Sequence, residues 1–375
     1  MNRPVRLYAG LMSGTSVDAV DGVLAGFHDD TSPAGSLAFS SRPIPLPLRD
    51  ALQSLQRSGA DELARAALAA NELSDLYAEV ISDLLDKSGR QPAEIEAIGA
   101  HGQTVRHRPE CGYTIQLLNP SRLAERSGIA VVADLRSADV AAGGQGAPLA
   151  PGFHHAAFGA ARERRAIANL GGIANVSLIP AADEQAPVRG FDTGPANTLL
   201  DYWCLRHTGH DFDRDGSWAA GGRVIEALLA RMLEEPYFSA PAPKSTGRDL
   251  FEAGWLQAAL RSADALDADP RDVQATLAEL TAITVAKPCI EFGATAVRVC
   301  GGGARNPDLM ARLRRRAAPA TVEDTSALGI DPQAVEALAF AWLACRRLAG
   351  LPGNVPAVTG ATGPRLLGGL WPATR

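Results

Sequence analysis

Asp192 lies in "GFDTGP", where an apolar run meets glycine, threonine and proline. A carboxylate there could serve as a general base, which must be ionised and must face a cleft. A helix is expected to start at once, with Thr193 as its cap and Pro195 in its first turn, a favoured place for proline. The start of a helix keeps a nearby carboxylate charged. Asp192 could equally do no more than cap that helix. The residues alone leave both roles open.

Three glycine-rich turns ask for a second kind of chemistry. They are "SGTS" (Ser13–Ser16), "LGGIAN" (Leu170–Asn175) and "CGGGARNP" (Cys300–Pro307). Glycine allows positive φ and a close approach of backbone to ligand. Successive N–H groups then form a nest for an anion. The first turn also offers hydroxyls, and Asp18 and Asp21 follow it closely. The pattern suits two hairpins gripping a polyphosphate from opposite sides, with the third turn against a nucleoside. Neither GxxxxGK[ST] nor a strand-linked GxGxxG occurs.

The elements that must hold these turns alternate. "VRLYAGLM" and "AVDGVLAGF" read as strands around the first turn, and "LAFSSRPIPL" as a third strand. Leu48 to Ser88 is helical in period. "IEAIGAHGQTV" predicts a strand running into a polar loop. "YTIQLLNPSRLAERSG" predicts a strand and a helix ended by Gly128, and "IAVVADL" another strand. "RAIANLGGIANVSLI" then repeats the opening: strand, glycine turn, strand. "VRGFDTGPANTLLDYW" and "AVRVCGGGARNPDLMARL" each lead from strand to helix. "PQAVEALAFAWLACRRLAG" predicts an amphipathic helix with Val335, Leu338, Ala339, Trp342 and Leu343 on one face. The fold class is therefore α/β, largely parallel, with two related halves that each open on an antiparallel hairpin.

The chain has 375 residues, 46% hydrophobic and 21% charged, with a formal net charge of -6. That length suggests two domains. The charge gives a nucleic-acid partner no support, and the run Arg312–Arg316 reads as a solvated helix face. Five cysteines are scattered singly, with no CxxC pair, so neither a disulfide framework nor a zinc site is expected. No signal peptide or membrane span is read from the sequence, and a cytoplasmic location is expected.

"GLMSGTSVDAVD", "AHGQTVRHRP", "AAGGQGAPL", "NLGGIANVS", "FDTGPAN", "GGGARNP" and "VTGATGPRLLGGLWP" together resemble the anhydro-N-acetylmuramic acid kinase family, from Leu7 to Pro372. The resemblance implies two RNase H-like domains of the actin-like ATPase class with an ATP cleft between them. The expected domains are 1–132 plus 352–375, and 133–351. ATP and Mg2+ are the implied cofactors, and a homodimer the expected assembly. Gly14, Thr15, Ser16, Val17, Asp18, Ala19, Val20 and Asp21 then form the phosphate hairpin. Gly171, Gly172 and Asn175, with Gly301, Gly302, Gly303 and Asn306, hold the rest of the nucleotide. Asp192 becomes the catalytic base.

The resemblance also sorts the remaining polar residues. His101 and His107 invite a metal reading, but no third ligand lies at a usual spacing. Contacts of His101 and Gln103 to a sugar, or a part in loop structure, are expected instead. Among Asp134, Arg136, Asp139 and Gln145, Arg136 suits the lactyl carboxylate of a muramic acid. Lys244 either approaches ligand or is an exposed loop lysine. Glu336 and Asp18 are the candidates for magnesium, Glu336 through water, or Glu336 is a solvated residue of a first helical turn. The implied reaction opens the anhydro ring of 1,6-anhydro-N-acetylmuramic acid and phosphorylates the sixth-carbon oxygen. Two rival readings differ in what they need. Another sugar or anhydrosugar kinase needs no partner for a lactyl group. A partner-remodelling actin-like ATPase needs a polymer interface or a peptide-binding domain.

Overall fold

Two hairpins head two sheets of matching strand order. The computed structural model describes residues 4–14, 16–29, 31–247 and 250–373, so Thr15 lies outside the described residues. The chain forms two compact units, one up to Ala157 and again from Ala334, the other Phe158–Gln333.

In the first unit, β1 (Val5–Ser13), β2 (Ala19–His28) and β3 (Pro33–Pro43) are followed by β4 (Ile95–Ala100). After the two-stranded pair β5 (Gln103–Arg108) and β6 (Tyr113–Leu117) comes β7 (Val131–Ala133). The second unit holds β8 (Arg165–Leu170), β9 (Ile173–Ile179), β10 (Arg189–Pro195), β11 (Ala296–Cys300) and β12 (Thr321–Asp324). β13 (Gly369–Trp371) returns to pair with β7. The sheets run β13-β7-β4-β1-β2-β3 and β10-β9-β8-β11-β12. In each, the hairpin strands are antiparallel and the next two strands parallel. This is the RNase H-like order, present twice.

The core follows from the sequence pattern. The helix Glu62–Ser88 buries Leu73, Tyr77, Val80, Ile81 and Leu84, and Gly89 ends it at φ 66°, a conformation glycine adopts without penalty. The helix Pro270–Phe292 is buried along most of its length. The helix Val335–Leu348 departs from the expected amphipathic pattern. Val335 and then every residue from Ala337 to Cys345 are buried. A Cβ on Gly10 would lie 1.9 Å from the Ala337 carbonyl oxygen, and one on Gly99 1.9 Å from that of Phe340. Glycine on β1 and β4 thus lets this helix press against the sheet backbone, which leaves it little solvent face.

That packing moves the boundaries. Residues 133–157 and the helix Val335–Leu348, expected in the second domain, belong to the first unit. The polar loop expected around Gln103 is strand β5. The segment Arg312–Arg316 is a solvated face at Arg314, Arg315 and Arg316, which are exposed, but not at its first residue. Arg312 is buried and pairs with Asp308 (2.7 Å) and Glu279 (2.8 Å), and Arg316 joins it on Glu279.

Candidate active site

In the first unit the polar candidates gather at the carboxyl ends of β1, β4 and β7, where open α/β sheets place their ligands. The Val17 N–H donates to the Gly14 carbonyl (3.1 Å) and closes the first turn. Val17 holds φ 54° with its side chain wholly buried. A β-branched residue there is strained, and such strain collects at ligand clamps. The Ser16 hydroxyl donates to Asp18 Oδ1 (2.5 Å), and the Asp18 carboxylate is exposed. Ala19, Val20 and Asp21 are already β2 residues whose backbones pair with β1 or β3. Val17 and Val20 side chains are core. Only Gly14, Ser16 and Asp18 present free edges of this turn among the described residues.

Gln103 takes the second of its two expected parts, in loop structure. It is fully buried, and its amide donates to the Gly14 carbonyl (3.1 Å), so it braces the turn from below. His101 is buried against Phe340, ring centroids 4.8 Å apart. Its Nε2 accepts from Arg136 Nε (3.1 Å) and Nη2 (2.9 Å), while Arg136 Nη1 donates to the Gly146 carbonyl (2.6 Å). Burial, then the nearby guanidinium, pushes the His101 pKa down to about 3. The ring is therefore neutral, and the hydrogen-bond network puts its proton on Nδ1, an enclosed atom turned to the Gly102 and Ser13 backbone. Burial pulls Arg136 down to about 10, against the opposing charges of Glu336 and Asp139, so it stays cationic. Of its five donors, three are spent on these contacts and two remain.

Its neighbours are structural. Asp139 is fully buried and accepts from Gly146 N–H (2.8 Å), Asn354 Nδ2 (2.6 Å) and the Thr359 hydroxyl (2.7 Å). The Gln145 N–H donates to the Thr359 carbonyl. Asp134 is exposed and accepts from Ser137. Glu336 is half-buried and sits in the field of Arg136, not in solvent. His107 is exposed and bonded to Thr114. Among the described residues, no group of three or more His, Cys, Asp or Glu could hold a metal.

In the second unit the turn Gly171–Gly172 abuts the helix Asn197–Thr208. The Gly171 carbonyl accepts from Asn197 N–H, and that of Gly172 from Ala196 and Thr198 N–H. The third turn begins at Gly301, φ 80°, where a Cβ would lie 2.3 Å from Asn169 Oδ1. Asn306 caps the helix Pro307–Ala317, its Oδ1 accepting from Leu309 N–H (3.0 Å). Asn175 pairs with Asn169 on one side and with Asp192 on the other. Directly opposed residues share a face, so Asn169, Asn175 and Asp192 form one polar row across β8, β9 and β10. Asn169 Oδ1 is buried without a partner. Sequence reasoning missed Asn169, although it stands just before the glycine turn.

Asp192 caps no helix. The helix begins at Asn197, after Pro195 has closed β10, and its N-cap, Ala196, has no side-chain bond. The Thr193 hydroxyl donates instead to the Ala174 carbonyl. Asp192 Oδ2 accepts from Thr246 N–H (3.0 Å). Burial raises its pKa to about 6, against that one hydrogen bond. It is therefore not held low by a helix, yet it is ionised at neutral pH and basic enough to take a proton. Lys244 fits neither expectation. Its ammonium donates to the Tyr237 (2.9 Å) and Phe238 (3.3 Å) carbonyls.

Residues 6–373 match the anhydro-N-acetylmuramic acid kinase family model. The chain belongs to this family. Among curated relatives, the anhydro-N-acetylmuramic acid kinase of Bordetella avium is 57% identical over 373 residues, covering 99% of this chain and 98% of that protein. Those of Bordetella parapertussis and Burkholderia cenocepacia are 55% and 54% identical, covering 99% and 98% of this chain and 97% and 96% of theirs. The family and the repeated strand order agree on the fold class.

Proposed function

We propose that the protein is an ATP-dependent kinase of 1,6-anhydro-N-acetylmuramic acid, giving N-acetylmuramic acid 6-phosphate and ADP. The observation that carries this reading is Asp192, a carboxylate raised to about 6 at the end of a polar row beside two glycine turns. An anhydro sugar has no hydroxyl at its sixth carbon, so a base has no sugar proton to take there. Asp192 accepts a proton from water as the water oxygen bonds to the anomeric carbon. The bond from that carbon to the bridging oxygen breaks. The freed oxygen attacks the γ-phosphorus, and ADP departs.

The other residues position and neutralise. Gly14 and Ser16 of the first turn and the glycine turns of the second unit supply backbone N–H groups to phosphates. The two remaining donors of Arg136 suit the lactyl carboxylate. His101 holds the guanidinium plane through its Nε2. Magnesium suits this chain, because it takes one or two carboxylates together with phosphate oxygens, and Asp18 is an exposed carboxylate at the turn. When bound, magnesium offsets phosphate charge. Glu336 balances Arg136 and is not assigned to the metal. No helix among the described residues is long and apolar enough to cross a membrane, and of the five cysteines four are buried, none of them in a disulfide. The test is ATP consumption with and without the anhydro sugar, with the product mass read directly. Sugar-independent turnover, or a product lacking the added water, contradicts the proposal.

A further inference from the structure

β10 is the edge strand of its sheet, so one row of its backbone groups lacks a neighbouring strand. The ladder is also irregular at the critical point. Asn175 pairs with Asp192 and Ala174 with Gly194, which leaves Thr193 out of register. Bulges of this kind re-aim a side chain and free backbone groups. At Asp192 the free groups are met by a segment 45 to 54 residues further along the chain. The Tyr237 phenol donates to the Asp192 carbonyl (2.7 Å). The Asp192 N–H donates to the Lys244 carbonyl (3.3 Å). The Thr246 N–H donates to Oδ2.

The segment is closed on itself and anchored. Lys244 ties back to the carbonyls of Tyr237 and Phe238, and its ammonium lies 4.7 Å from the Tyr237 ring centroid. Phe238 stacks on the fully buried Phe251 at 5.5 Å, and Tyr237 meets the same ring edge-on at 5.8 Å. Gly194, at φ 148°, leaves room for Phe238, whose ring a Cβ would meet at 2.7 Å. The titratable groups brought against Asp192 by these contacts are the Tyr237 phenol and Lys244, whose ammonium is engaged with the 237–238 carbonyls. Across the sheet stand the neutral Asn175 and Asn169.

We infer that Tyr237 and Lys244 are positioning residues for Asp192, the strap from Tyr237 to Thr246 replacing the missing neighbour strand and fixing the aim and dryness of the carboxylate. This rests on the reading of Asp192 as the base. Its test uses the full chain carrying Tyr237→Phe, Lys244→Met or Lys244→Arg, with Asp192→Asn alongside. Loss of one buried partner predicts a fall in kcat of about five- to fiftyfold for the first two variants. KM for sugar and for ATP stays within about twofold. A loosened strap admits water, so the acid limb of kcat/KM moves below its wild-type position. Lys244→Arg, which still donates to both carbonyls, regains most of the rate. Wild-type kcat and an unmoved acid limb in folded Tyr237→Phe and Lys244→Met overturn the inference. A lowered kcat with an unmoved limb also overturns it, by reducing the strap to general stability. If Asp192→Asn turns over normally, it is the base that has been misassigned. An inactive Asp192→Asn beside wild-type-like strap variants removes the positioning role alone.

Discussion

Replacing Asp192 by asparagine should make the protein more stable while disabling it. The ordinary carboxylate value of 3.8 rises to about 6 in the fold, chiefly through burial. Between those values the native state binds more protons than the unfolded chain, so this residue's contribution to stability falls as pH rises. At about 1.4 kcal/mol per unit, the ionised carboxylate costs roughly 3 kcal/mol at pH 8 and roughly half that at pH 5. Asparagine keeps the shape, and its Oδ1 can still accept from Thr246 N–H, but it carries no charge to bury. Thermal unfolding of both proteins at the two pH values is the assay. At about 2–4 °C per kcal/mol for a unit of this size, the variant should unfold several degrees higher at pH 8, with a smaller gap at pH 5. Turnover should fall at least ~10²-fold, and wild-type kcat/KM should show an acid limb near pH 6. A variant no more stable than wild type at pH 8, or a gap independent of pH, refutes the reasoning that burial sets this residue's basicity.

Further outcomes follow from the same geometry. Gly14→Val should fold normally, because among the described residues a Cβ there meets only Ser16 Oγ at 3.7 Å, yet raise the KM for ATP at least ~10-fold; an unchanged KM removes the turn from the phosphate site. Arg136→Ala should weaken binding of the anhydro-muramic sugar by about 1.5–3 kcal/mol and hardly touch the anhydro form of N-acetylglucosamine, as measured by calorimetry; equal losses deny the lactyl contact. Glu279→Gln should cost about 1.5–3 kcal/mol, because the buried Arg312 loses one of its two carboxylate partners and keeps Asp308. Burial alone would raise the Glu279 pKa, but Arg312 and Arg316 outweigh it and hold it below the ordinary range. That stability is present at neutral pH and lost as pH falls through the folded value, so variant and wild type should converge in acid unfolding scans.

What the sequence made legible was local. Each glycine-turn hairpin announced itself by an apolar run, a break and a second apolar run, and the repeat of that pattern at Arg165 foretold two halves. Spacing could not show that the last long helix presses on β1 and β4, because that depends on Gly10 and Gly99 leaving room far from it in the chain. The same limit hid the partners of Asp192. Pro195 pointed to a nearby helix start, but the carboxylate takes its hydrogen bond from Thr246. Gln103 and Asn306 have the composition of ligand contacts, and each commits one amide atom to the fold, Gln103 Nε2 to the Gly14 carbonyl and Asn306 Oδ1 to a helix cap. Polar side chains read alike in sequence whether they face a ligand or satisfy a buried backbone group.

The coupled opening and phosphorylation is tested most directly by running the reaction in ¹⁸O-labelled water and stopping it before the anomeric hydroxyl exchanges. Mass analysis of the product then locates the label. The account predicts ¹⁸O at the anomeric carbon and unlabelled bridging oxygen in the phosphate ester. Label in the phosphoryl group, or none at the anomeric carbon, contradicts it.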